Sequence, residues 1–160
     1  MSFSKEIVPG FQVIETANIL DLERIIELNS QIHIDRPGFT DEDQWDGKEW
    51  IGEEIKAGNF FVFRDNGQIY GTTLLAIWDD ALHITTLTID QTMHGLGIGK
   101  KLTEFAENLA AEKGLKKVTL ETYDLYSVKD FYLKCGFELD NPPTDSYKGE
   151  IFYCFSKTIQ

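Results

Sequence analysis

His94-Gly95-Leu96-Gly97-Ile98-Gly99-Lys100 sets three glycines two residues apart, directly ahead of a helical apolar pattern. Downstream, Ile98, Leu102, Phe105, Ala106 and Leu109 recur on one helical face, with Lys100, Lys101, Glu104 and Glu107 largely off it. Upstream, residues 82–89 are rich in strand formers. The stretch therefore joins a strand to a helix. Backbone N–H groups in a helix's first turn lack partners, and the helix dipole adds positive potential there, so such a junction attracts anions. Glycine lets an anion approach the backbone without meeting a Cβ. The expected role is a phosphate cradle. Spacing excludes two familiar versions. A dinucleotide fingerprint counted from Gly95 and Gly97 needs glycine at position 100, which is Lys100. A nucleotide P-loop needs glycine at 94 and Ser or Thr at 101, where the chain has His94 and Lys101.

Outward from this loop, strands and helices alternate. Residues 11–15 alternate apolar and polar, as a half-buried strand does. Asn18 is placed to cap a helix striped by Ile19, Leu22, Ile25, Ile26 and Leu28. Pro37-Gly38 breaks the chain, and residues 45–57 read as a second helix ending at Gly58. Strands at 60–63 and 69–78 flank Asn66-Gly67, a strong hairpin signal. Asp79-Asp80 turns the chain into the strand 82–89. Beyond the long helix, closed by Gly114, a strand is expected at 117–121 and a short helix at 128–134. The last strands, 137–139 and 151–155, are separated by an Asn141-Pro142-Pro143 loop. With no repeat or linker, residues 1–160 are expected to form a single domain.

Charge narrows the partners. The 27 acidic against 15 basic side chains leave a net charge of −12, which repels nucleic acid and anionic membrane surfaces. A cationic substrate is permitted. Cys135 and Cys154 are too few for a disulfide framework and sit among apolar residues, so buried thiols in a reducing compartment are expected. No signal-like N-terminus and no membrane-length apolar run appear, giving a soluble, cytoplasmic expectation. The three histidines and two cysteines lack zinc-ligand spacing, so no metal is expected.

The glycine loop resembles the acetyl-coenzyme A loop of the GNAT superfamily of N-acetyltransferases. The resemblance runs from Leu87-Thr88-Ile89-Asp90 to Gly99-Lys100-Lys101-Leu102. It resumes at Asp130-Phe131-Tyr132-Leu133-Lys134-Cys135-Gly136-Phe137, which is similar to the family's second signature. The resemblance implies an α/β fold: a mixed, mostly antiparallel central sheet with helices on both faces, splayed between strands 4 and 5. Acetyl-coenzyme A would run along that splay, against Leu87, Thr88 and Ile89 and the loop residues His94, Gly95, Leu96, Gly97, Ile98, Gly99 and Lys100. The family usually carries Gln or Arg where this chain has His94, which leaves Lys100 or Lys101 to supply a fixed charge.

The implied activity is acetyl transfer from acetyl-coenzyme A to a primary amine, by direct attack in a ternary complex. A backbone N–H near Leu87, Thr88 or Ile89 would stabilise the developing oxyanion. Tyr132 matches the family's general acid and would protonate the leaving thiolate. For the base, His83 and Glu121 compete. Period two puts His83, Thr85 and Leu87 on one strand face, and Glu121 ends the next strand. His33, near the first helix end, is a further candidate for the acceptor site. Asp41, Glu42, Asp43 and Asp46 would attract a small cationic amine, or would simply complement a helix start. Trp45 and Trp50 read as core or pocket walls. The alternatives are a protein or peptide acceptor, or a coenzyme A-binding sensor without catalysis. A homodimer is left open.

Overall fold

The computed structural model describes residues 11–159. Among these residues, seven strands form one sheet: β1 Gln12–Thr16, β2 Phe60–Asp65, β3 Gln68–Trp78, β4 Ala81–Ile89, β5 Lys117–Tyr123, β6 Glu138–Tyr147 and β7 Glu150–Thr158. Their order is β1-β2-β3-β4-β5-β7-β6. Every neighbouring pair is antiparallel except β4 with β5, which is parallel. Among the described residues, the four α-helices are α1 Leu22–Asn29, α2 Lys48–Lys56, α3 Ile98–Glu112 and α4 Lys129–Lys134. The fold is the mixed, mostly antiparallel α/β sheet expected from the sequence.

The two faces carry separate apolar layers. On one, Ile25 and Leu28 of α1 and Ile51 and Ile55 of α2 pack on Phe60, Val62, Ile69 and Leu74. On the other, Ala106 and Ala110 of α3 pack with Leu75, Leu82, Ile84, Val118, Leu120, Tyr132, Phe137 and Phe155. Small residues on α3 let that helix lie close to the sheet. Asn18 caps its helix as expected: its side chain accepts from Leu20 N–H, and Asp21 returns a bond to the Asn18 N–H, on a short 3₁₀ turn leading into α1.

Three local expectations change. The second helix begins at Lys48 rather than residue 45, because 41–43 form their own 3₁₀ turn and Gly47 provides the N-cap. The Asn141-Pro142-Pro143 segment lies within β6 rather than in a separating loop. The β6–β7 register slips there, from Leu139↔Phe155 to Thr144↔Tyr153, since two prolines offer no ladder N–H. The hairpin turns instead at Lys148-Gly149, both at positive φ. Cys135 and Cys154 are free thiols as expected, but half-buried rather than buried.

The β4–β5 pairing positions the site. It covers only Ala81↔Lys117 to Ile84↔Leu120, and the two strands then part. The parting coincides with a bulge. Leu74 pairs Thr86 and Leu75 pairs Ile84, so Thr85 is an extra residue in β4.

Candidate functional site

The bulge at Thr85 reverses the side-chain alternation. Leu82 and Ile84 face α3, and beyond the bulge so do Leu87 and Ile89. Thr88 lies on the opposite face, where its hydroxyl donates to Asn29 of α1. His83 and Leu87 therefore do not share a face, because strict period two fails at the extra residue.

The backbone of β4 divides in the same way. Asp90 N–H donates to Tyr70 O of β3. Alternate residues of a strand direct their hydrogen-bonding groups to the same side, so Thr88 also serves the β3 ladder, while Leu87 and Ile89 face the gap. Of the three strand residues expected to meet a cofactor, Leu87 and Ile89 turn their backbone groups toward the gap. The Ile89 carbonyl accepts from His94 Nε2 at 3.1 Å, so the imidazole folds back onto the strand.

The glycine loop continues from this edge. Gly95 and Gly97 have φ of 81° and 85°, and a Cβ on either would meet nothing within 4 Å. Gly97 is the left-handed N-cap of α3. Among the described residues, no backbone N–H from His94 through Gly97 donates to a backbone carbonyl outside the helices and strands, and the first-turn N–H groups of α3 lack intrahelical partners. An unhindered, donor-rich turn at a helix start fits a phosphate group. Lys100 lines this region, whereas Lys101 is drawn toward β1, donating to Gln12 and lying over Phe63. Leu96 stands exposed at the loop tip. Gly99 meets a different demand, since a Cβ there would lie 2.9 Å from Phe131 of α4.

Residues Ile84–Ile89 of β4 and the loop residues 94–100, apart from Leu96, line one wall of a cleft of about 620 Å³. It runs from the glycine loop along Ile84–Ile89 to Leu120–Tyr123, with Tyr132 at its inner end. Tyr132 is buried among Phe131, Phe137 and Phe155, and that burial raises its pKa, so the phenol keeps its proton. Tyr126 closes another side, donating to Ile32 O at 2.6 Å.

A second cavity of about 710 Å³ adjoins the cleft on the α1–α2 face. Its aromatic walls come from Trp45, Trp50, Trp78, Tyr123, Tyr147 and Phe152, and its carboxylates from Asp41, Glu42, Asp43 and Glu121. His33 and Asp46 lie outside its lining. Trp45, Thr85, Glu121, Thr122 and Tyr123 line both spaces, so the two meet where β4 leaves β5.

Of the two candidate bases, Glu121 lines both spaces, whereas His83 lines only the second cavity. The His83 ring stacks on Trp78, 3.6 Å between centroids and 12° from parallel, and its Nδ1 shares a hydrogen bond of 2.8 Å with Thr119 Oγ1. Burial lowers its pKa to about 4. The imidazole is thus neutral and only weakly basic at neutral pH. Glu121 is exposed at the junction, with Cys154 Sγ 3.8 Å from Oε2. Sequence reasoning missed Trp78, Thr119 and Tyr123, which carry no motif and are brought in by sheet pairing. Among the described residues, no group of three or more His, Cys, Asp or Glu side chains could hold a metal ion. No described helix is long and apolar enough to cross a membrane.

Comparisons with known proteins bear on this geometry. The family model described as acetyltransferase (GNAT) family matches residues 22–137. No curated protein sequence matches the chain. Among solved structures, Ard1 from Thermoplasma volcanium superposes with a TM-score of 0.77 at 17% identity, covering 94% of this chain and 99% of the other. PaiA N-acetyltransferase from Thermoplasma acidophilum, solved with coenzyme A, gives 0.73 at 22% identity, over 92% and 98% of the two chains. Drosophila melanogaster polyamine N-acetyltransferase gives 0.70 at 15% identity, over 92% and 99%. At these identities the likeness is one of fold.

Proposed function

The chain belongs to the acetyltransferase (GNAT) family, and from that premise we propose that it moves the acetyl group of acetyl-coenzyme A to the primary amine of a small cationic acceptor. The observation that carries this reading is the junction at Thr85, Glu121, Thr122 and Tyr123. There a cleft suited to the coenzyme opens into an acidic, aromatic cavity suited to an amine.

Binding of the coenzyme rests on the free N–H groups of residues 94–100, Lys100 and the gap-facing backbone of Leu87 and Ile89. Aromatic faces and carboxylates together favour an ammonium-bearing acceptor. A protonated amine cannot attack, so a base must first take its proton. Glu121 fills that role better than His83, because it reaches the junction as an exposed carboxylate while His83 is held by Trp78 and Thr119. The neutral amine attacks the thioester carbonyl carbon. A gap-facing N–H of β4 stabilises the oxygen as it becomes negative. The C–N bond forms, the C–S bond breaks, and the Tyr132 hydroxyl gives its proton to the departing thiolate. The amine adds directly, with no acyl-enzyme: Cys135 has its pKa raised by burial, which disfavours the thiolate nucleophile. The two free thiols suit a cytoplasmic setting.

Release of coenzyme A thiol, measured against a panel of primary amines, tests the reading. Amine-dependent release is expected with the wild type. Tyr132→Phe should lower kcat by roughly 10²–10⁴, the scale of lost proton transfer, and leave acetyl-coenzyme A affinity nearly unchanged. Glu121→Gln should act in the same range, with the deficit shrinking as pH rises and the free amine becomes abundant. Wild-type rates in the Tyr132→Phe protein would remove that residue from the mechanism.

A further inference from the structure

Buried threonines recur through this core, and their hydroxyls find acceptors. Thr72 Oγ1 donates to Phe61 O at 2.9 Å, Thr73 Oγ1 to Thr86 O at 2.7 Å, and Thr103 Oγ1 to Lys100 O at 2.8 Å. Thr88 Oγ1 donates to Asn29 Oδ1 at 3.3 Å. Thr86 is the exception. The residue is only 4% exposed, and among the described residues its Oγ1 is the one buried side-chain oxygen or nitrogen without a hydrogen-bond partner. Folded proteins pair nearly all such groups, because a hydroxyl taken out of water and left unmatched destabilises the fold. A group that stays unmatched in the free protein calls for a functional account.

Strand register fixes where this hydroxyl lies. Thr86 pairs with Leu74, and directly opposed residues of paired strands share a face. Leu74 packs in the layer beneath α1 and α2, so the Thr86 side chain stands on that face of β4. The Thr86 backbone, two residues from Thr88, turns toward β3 and away from the gap. Thr86 nonetheless lines the cleft, together with Gln31, Ile32 and Trp45 of the α1–α2 side. It therefore meets the cleft through its side chain, on the face where the acceptor cavity adjoins. Its neighbour Thr85 lines both spaces, as does Glu121 of β5. Its other neighbour, Leu87, turns its backbone to the gap where the thioester would lie.

An attacking amine must aim its lone pair at the thioester carbon. Once the ammonium has lost a proton to Glu121, the nitrogen keeps two N–H groups and the lone pair in a tetrahedral arrangement. Holding one N–H on a fixed oxygen narrows the directions open to the lone pair, which is how positioning lowers a barrier. A threonine oxygen has lone pairs to accept that bond. We propose that Thr86 is a further catalytic residue, whose Oγ1 accepts an N–H of the attacking nitrogen and turns its lone pair toward the thioester. The inference rests on the amine-acetylation reading above and gives Thr86 no part in holding the coenzyme.

The test sets two substitutions against each other. Thr86→Val keeps the branched shape and removes the hydroxyl, whereas Thr86→Ser keeps the hydroxyl and removes the methyl. Melting temperature, acetyl-coenzyme A dissociation constant and amine-dependent thiol release are measured for both variants and the wild type. The acceptor is the faster of 1,4-diaminobutane and 2-phenylethylamine. Thr86→Val should melt above the wild type, since an unmatched hydroxyl has gone, yet lose roughly tenfold in kcat/KM for the amine, the scale of one hydrogen bond. Thr86→Ser should melt below the wild type, for the methyl it lacks, and recover most of the rate that Thr86→Val loses. Coenzyme affinity should be the same in all three proteins. Activity and stability thus move in opposite directions, which a structural hydroxyl would not produce. A Thr86→Val protein that melts below the wild type shows a hydroxyl already bonded in the free protein and overturns the proposal. Undiminished kcat/KM in that variant overturns it too, as does a tenfold loss of coenzyme affinity, which would assign the hydroxyl to the coenzyme. These three results leave the amine-acetylation reading standing. A wild type that releases thiol with neither amine overturns that reading, and the proposal with it.

Discussion

His83 shows how much of a residue's chemistry is set by neighbours that its sequence position does not reveal. Its place on the strand leading to the glycine loop was legible, and so was its competition with Glu121. The Trp78 stack and the Thr119 hydrogen bond were not, because Trp78 belongs to β3 and Thr119 to β5. Burial keeps the ring neutral and makes it a stability determinant. Its pKa is near 6.5 in an unfolded chain and about 4 in the fold. Between those values the unfolded state binds more protons, so stability falls as pH drops from 6.5 toward 4. The full loss attributable to this group is on the order of 3 kcal/mol. His83→Gln removes the titration. Urea denaturation across pH 4–7 should show a shallower pH dependence in the variant, with the two profiles diverging only below pH 6.5. Parallel profiles would mean that the ring is solvated enough to protonate freely. His94 was legible as a departure from the resembling loop. Its actual partner, the Ile89 carbonyl, depends on how the chain folds back and was not.

At the scale of elements, the strand–loop–helix unit and the hairpins were legible because glycines, asparagines and apolar periods mark them locally. The bulge at Thr85 was not, since an extra residue in one strand appears only against its partner. It is nevertheless what turns Leu87 and Ile89 toward α3 and their backbone toward the gap. The Asn141-Pro142-Pro143 segment failed the opposite way. Prolines mark a break, yet here the strand passes through them by slipping register. Gly99 joins two elements and allows a prediction about both. A Cβ at this position would come within 2.9 Å of Phe131 Cζ, and Phe131 lines the cleft. Replacing helical Gly by Ala returns about 1 kcal/mol of propensity, against roughly 1–3 kcal/mol for overpacking. Gly99→Ala should therefore lose no more than about 2 kcal/mol of stability. The displaced ring should weaken acetyl-coenzyme A binding by roughly tenfold, equivalent to about 1.4 kcal/mol. Melting curves and a binding isotherm on one preparation separate the two effects. Unimpaired binding would show that Phe131 yields away from the cleft.

For the whole molecule, a protein of net charge −12 is proposed to bind an anionic coenzyme. The long-range field opposes this, and only local features favour it: the unpaired N–H groups of residues 94–100, Lys100 and a helix N-terminus. Local donors outweigh a distributed charge because salt screens exposed charges beyond about 10 Å at 0.1 M, while a phosphate in the loop would touch its donors directly. A thermal-shift titration weighs these two scales against each other. Acetyl-coenzyme A at a hundred times its dissociation constant should add about 2.7 kcal/mol. For a chain of this size that corresponds to roughly 5–11 °C in melting temperature. ATP carries comparable phosphate charge and NAD less, and both lack the pantetheine arm that the gap-facing backbone of Leu87 and Ile89 would receive. They should shift the melting temperature far less at equal concentration. A large shift with all three would assign the recognition to phosphate alone and take the β4 edge out of it. No shift with any of them, in a folded sample, would mean that the acidic field prevails and that the glycine loop serves only as a turn.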